Sequence, residues 1–129
     1  MKPLLVLALT LLAASAWADG GVTVPLPRIP PLPTGEQEHL LMQLVTANVV
    51  SENCPGHGLT PEEFALVTGS ADLVAAALGV LDSNAYDDRF YRPAFAMLDK
   101  PDTCDREGPR IRPLINQLIA WGGSLTPRP

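Results

Sequence analysis

The stretch Asn53-Cys54-Pro55-Gly56-His57-Gly58-Leu59-Thr60-Pro61-Glu62-Glu63 decides how this chain folds, because it closes one helix and opens the next. Pro55 pushes Cys54 out of the α region and Gly56 supplies a turn, so a helix ends there. Thr60, Pro61 and Glu63 then make a strong start signal. A hydroxyl caps the helix, a proline occupies the first position, where its missing N–H costs nothing, and a carboxylate reaches back from the third. The same stretch holds one of the chain's two cysteines and one of its two histidines.

Working upstream, Thr34-Gly35-Glu36-Gln37 predicts the start of a first helix, with Thr34 as cap and Gln37 as its reciprocal partner. Leu40, Leu44, Ala47, Val50 or Ser51, and Cys54 recur at helical spacing, with Leu41, Val45 and Asn48 beside them. Cys54 therefore ends a buried stripe. Downstream, Phe64, Val67, Ala71, Val74 and Leu78 line one face of a second helix. Leu66, Leu73 and Ala77 widen that face, which predicts a central helix. Gly69 costs about 1 kcal/mol relative to alanine in a helix interior, so a close helix crossing is expected there. Gly79 is the expected stop.

A third helix is predicted from Asp82-Ser83 through Tyr86, Phe90 and Tyr91. Pro93 kinks it or starts a short second piece ending at Met97-Leu98. After the turn Lys100-Pro101-Asp102-Thr103, a fourth begins around Cys104 and is interrupted near Gly108-Pro109. It resumes through Ile111, Leu114, Ile115, Leu118 and Trp121 and ends at Gly122-Gly123. No run alternates long enough for a strand, and no internal repeat is present.

Residues 1–18 read as a signal peptide: Lys2, an uncharged apolar run from Pro3 to Leu12, then small residues at Ala16 and Ala18. Cleavage is expected before Asp19, with a cut after Ala14-Ser15-Ala16 as the alternative. The apolar run is shorter than the roughly 20 residues a spanning helix needs. Export makes a disulfide the expected state of Cys54 and Cys104, closing a loop of 50 residues. Such a loop is worth about 4 kcal/mol in the chain-entropy account. Cys54 ends helix one, Cys104 begins helix four, and helix two starts close by. A small all-α four-helix up-down bundle with one disulfide meets these conditions. Residues 19–33 carry five prolines and are expected as an extended arm, either a stiff spacer or a strap with Val22, Val24, Leu26 and Ile29 tucked in. The helical domain is then 34–123, and 124–129 is expected to be a loose, flexible tail.

Composition narrows the function. The 129 residues are 47% hydrophobic and 18% charged with net charge −5, enough apolar content for one folded domain. There is no basic run, so nucleic acid is a poor partner, and an acidic surface is repelled by anionic lipid. No Cys-x-x-Cys-His, Cys-x-x-Cys, glycine-rich phosphate loop or nucleophile elbow occurs. Cys54-Pro55-Gly56-His57 has ligand-like spacing, and Cys104 with a carboxylate could complete a zinc site, which makes His57 the one candidate metal ligand. Copper through His57 and Met42 or Met97 would require residues far apart in sequence to meet.

The chemically distinctive stretch is Tyr86-Asp87-Asp88-Arg89-Phe90-Tyr91-Arg92-Pro93-Ala94-Phe95. Helical spacing packs Phe90, Ala94 and Met97 inward with Tyr91 and Phe95 on an adjoining stripe. The other reading exposes Tyr86, Arg89, Tyr91 and Arg92 as anchors for a protein partner, since tyrosine and arginine dominate interface hot spots. Asp87 and Asp88 do not share a helix face and are not read as an acid/base pair.

The helix ending Asn53-Cys54-Pro55, the further helices and then Cys104 resemble, across residues 34–123, small exported all-helical proteobacterial proteins with one disulfide and no assigned activity. Helix count and the long disulfide loop are also similar to those of periplasmic acid-stress chaperones, none of whose sequence motifs occurs here. The resemblance implies a bacterial envelope setting and transfers no functional residue. The expected function is a non-enzymatic protein-interaction module of the envelope, periplasmic or secreted, without cofactor and without a membrane span once the signal is removed. The alternatives are a periplasmic small-molecule or metal-binding protein and an acid-stress chaperone-like protein. An enzyme ranks behind these, because no catalytic constellation stands out.

Overall fold

Between residues 40 and 51, apolar or small side chains occupy most sides of the first helix, and a helix with that pattern has to be surrounded. In the structure, a computed structural model that describes residues 21–129, it is surrounded. Helix α1 (Thr34–Asn53) buries Leu40, Leu41, Leu44, Val45, Ala47, Val49 and Val50, and it touches each of the other helices. The expected signal peptide, 1–18, and the first two residues of the expected arm lie outside the described residues.

Helix α2 (Pro61–Ala77) was expected at the centre and is not there. Leu66, Val67, Ala71 and Val74 are buried, but Leu73 is 41% exposed and Ala77 is exposed as well. Its buried residues keep to one face, whereas those of α1 wrap the helix, and this assigns the central place to α1. Helix α3 (84–97) has three parts: Asn84–Tyr86, a π-helical turn Asp87–Tyr91, and Arg92–Met97. Helix α4 (103–120) runs Thr103–Glu107, a 3₁₀ turn Gly108–Arg110, and Ile111–Ala120. Ile111, Ile115 and Leu118 bury one stripe of it while Arg112, Asn116 and Gln117 stay outside. The described residues are all-helical, with four helices and no strand.

The joint behaves as its sequence requires. Glu63 N–H donates to Thr60 Oγ1 at 3.1 Å and Thr60 N–H donates to Glu63 Oε1 at 3.0 Å, a complete capping box. Cys54 is bonded to Cys104 with Cα atoms 5.5 Å apart, inside the range a disulfide tolerates. Gly79 and Gly122, at φ 73° and 102°, end α2 and α4 in the left-handed region. The start of α1 differs from the expected box. Thr34 is already helical, Pro33 precedes it without a side-chain cap, and Gln37 Nε2 instead donates to the Leu32 carbonyl at 2.8 Å.

Residues 22–33 adopt no helix or strand and lie against the domain. Val24 and Pro27 are buried, and Arg28 N–H donates to the Trp121 carbonyl at 2.8 Å. Leu26 sits on Gly69: a β-carbon there would come within 2.6 Å of Leu26 Cδ2. The gap that Gly69 leaves is filled by this segment, not by the expected helix crossing. The last residues, expected to be loose, run beside the same segment. Ser124 N–H donates to the Pro25 carbonyl at 3.1 Å and Arg128 N–H to the Thr23 carbonyl at 2.8 Å.

Candidate functional site

Three places hold the residues that chemistry would single out. The first is the joint. Both thiols are consumed in the disulfide, so the Cys54, His57 and Cys104 zinc set has lost its sulfur ligands. The His57 ring lies flat against buried Gly108, where any side chain would collide with it, and its backbone N–H donates to the Cys54 carbonyl at 3.2 Å. No cluster of three His, Cys, Asp or Glu side chains suited to a metal exists among the described residues. Beside the joint, Glu63 is buried and meets Arg112 of α4 at 2.5 Å. Burial pushes the Glu63 carboxyl up, but the Thr60 N–H and the Arg112 guanidinium outweigh it and hold the group below the usual carboxylate range.

The second place is α3. Pro93 has no N–H to give to the preceding turn, and the helix widens just ahead of it: Arg92 N–H reaches back five residues to the Asp87 carbonyl. Through this turn the candidate partner residues separate. Tyr86 is buried, its hydroxyl donates to Asp72 Oδ1 at 3.2 Å, and its ring meets that of Tyr91 at 5.3 Å between centroids. Burial first, then Tyr91 and Asp72, push the Tyr86 hydroxyl far above the ordinary phenol range, so it stays a neutral donor. Tyr91 is half-buried and accepts from Asn48 Nδ2 at 3.1 Å. These two tyrosines tie α3 to its neighbours.

The two arginines point the other way. Arg89 pairs with Glu38 at 3.2 Å while its guanidinium stands 5.3 Å from the Phe90 ring centroid. Arg92, with 73% of its side chain exposed, holds Asp87 at 3.1 Å and Asp88 at 3.3 Å. Exposed pairs of this kind contribute only about 0–1 kcal/mol and exchange readily for other partners. Phe95, expected on the stripe adjoining the inward residues, is instead 51% exposed, while Phe90 and Ala94 are buried as expected.

The third place was not anticipated as a unit. His39, Met42 and Thr46 of α1, Met97 of α3, and Glu107, Arg110 and Ile111 of α4 line one cavity of about 130 Å³. The two methionines considered with His57 thus share a cavity with the other histidine. His39 and Met42, three apart on one helix, carried a signal of adjacency; nothing local in the sequence points to Met97.

No helix among the described residues is long and apolar enough to cross a membrane. Compared with family models, with curated proteins and with solved structures, the chain matches none of them.

Proposed function

We propose that the protein works by binding another protein of the bacterial cell envelope, in the periplasm or after secretion, and not by catalysis. The disulfide supports an oxidising compartment. The platform is a four-helix up-down bundle. Cys54 and Cys104 join at one end of α1 and α4, while Leu40 and Trp121 line a common crevice, a pairing that runs in opposite chain order. The proline-rich segment is an extended arm strapped across this platform.

The observation that carries the reading is Phe95, more exposed than any other large apolar side chain among the described residues, three positions from the exposed Arg92. A desolvatable ring next to a guanidinium is the composition of an interface hot spot. The π turn that presents them is a feature often found at functional places in helices. Asp87 and Asp88 keep Arg92 neutralised until a partner's carboxylate replaces them, so the partner has an apolar pocket with an acidic rim.

The test is a photo-crosslinking side chain at position 95 in cells, alongside the Arg92→Ala/Phe95→Ala variant. The expected outcome is a discrete crosslinked protein that the double variant no longer captures, with stability within about 0.5 kcal/mol of wild type. A variant that melts far earlier, or that captures the same protein as wild type, refutes the interface.

A further inference from the structure

We propose that the cavity lined by His39, Met42 and Met97 is a binding site for a soft monovalent metal ion, Cu(I) in the cell. This is independent of the partner surface formed by Arg92 and Phe95. Size comes first. At about 130 Å³ the cavity is below the roughly 300–1,000 Å³ of small-molecule sites, a size that accommodates an ion.

Donor chemistry then selects the ion. The soft or intermediate donors on the cavity wall are two thioethers and one imidazole. Thioethers select Cu(I) and are poor ligands for zinc, calcium or magnesium. The one carboxylate present, that of Glu107, is occupied by Arg106 at 3.3 Å and Arg110 at 3.6 Å. Beyond it the side chains of the wall offer only the Gln43 amide and the Thr46 hydroxyl, too few oxygens for a hard cation that takes about six or more.

The backbone elements that carry the donors are also held together. His39 and Met42 stand on one face of the central helix, three positions apart. Met97 ends α3, and its carbonyl accepts a hydrogen bond from Thr103 Oγ1 of α4. Thr103 is buried and adjoins Cys104, whose disulfide to Cys54 fixes that end of α4 to α1. The disulfide thus links the Met97 end of the cavity to the helix carrying the other two donors. With both cysteines oxidised, no thiolate competes for the ion.

The experiment titrates the oxidised full chain, free of oxygen, with Cu(I) against a coloured Cu(I) chelator, and with Ag(I) as a redox-inert substitute. Ascorbate keeps copper reduced without opening the disulfide. One equivalent of Cu(I) should be retained, with sulfur seen in its X-ray absorption spectrum. Removing even an outer-shell partner of a metal ligand costs about 10–100-fold in affinity, so Met42→Leu, Met97→Leu and His39→Gln should each lose at least about tenfold. The leucine variants conserve volume, and their metal-free melting should match wild type. If Cu(I) and Ag(I) are not retained, or if Met42→Leu/Met97→Leu binds as tightly as wild type, the methionines only fill space and the site is refuted.

Discussion

The joint between α1 and α2 and the segment 84–97 both interrupt helical structure, and they are held together differently. At the joint, Cys54 is bonded covalently, Thr60 and Glu63 cap each other, and Arg112 reaches in from α4. Along 84–97 the two tyrosines are fixed from beneath, while Arg89 and Arg92 make surface pairs that water weakens. The first break is built for stability. The second leaves polar and apolar groups available on the outside, and this contrast locates the proposed partner surface. Substitutions at the joint should therefore cost several times more than substitutions on α3.

The largest effect expected is removal of the disulfide. Cys54→Ala/Cys104→Ala frees a loop of 50 residues and should cost about 4 kcal/mol by the loop-entropy account, visible as a much lower Tm. Labelling of the unfolded, unreduced wild type should find no thiol. If the variant melts with wild type, the joint does not staple the fold and the comparison fails at its strongest point.

Glu63→Ala comes next. It removes the cap to Thr60 and the pair with Arg112, whose outer side remains in water, so about 2 kcal/mol is expected from urea unfolding. The pH dependence has a definite sign. The folded carboxyl is held below its unfolded value of about 4.3, so the wild type binds fewer protons folded than unfolded as pH falls through that range. The charge-dependent advantage of wild type over Glu63→Gln is full above about pH 4.3 and disappears as pH drops through the folded value. A gap that persists unchanged at strongly acid pH would show that the charge of Glu63 contributes nothing.

Much of the joint was legible because its rules are local. Thr60, Pro61 and Glu63 lie within one turn, and a chain with two cysteines has a single intramolecular pairing available. What was not legible came from distant segments. Nothing near Glu63 announces Arg112, nothing near Gly69 announces Leu26, and nothing near Met42 announces Met97. The central place of α1 was hidden because a stripe was sought where the apolar residues wrap the helix. In α3 the spacing placed Phe90 and Ala94 correctly, while Phe95, on the adjoining stripe, came out exposed at the rim of the packed face.

The smallest effect expected lies beneath the proposed partner surface. Tyr86→Phe keeps the buried ring and its contact with Tyr91 but loses the hydrogen bond to Asp72. Asp72 is exposed and regains water, so the cost should be about 1 kcal/mol or less. Alkaline titration separates this role from simple packing. Burial, with Tyr91 and Asp72 adding to it, raises the folded hydroxyl far above its unfolded value of about 10. Below pH 10 both states are protonated and the contribution of Tyr86 is complete. Above it, the unfolded chain releases a proton that the folded chain keeps, and wild type loses stability relative to Tyr86→Phe. Unfolding measured in urea from pH 8 to 11 should therefore show the two proteins converging and then crossing. If their difference stays constant across that range, Tyr86 is not the buried neutral donor that anchors α3, and the assignment of the tyrosines to the inside and the arginines to the outside has to be redrawn.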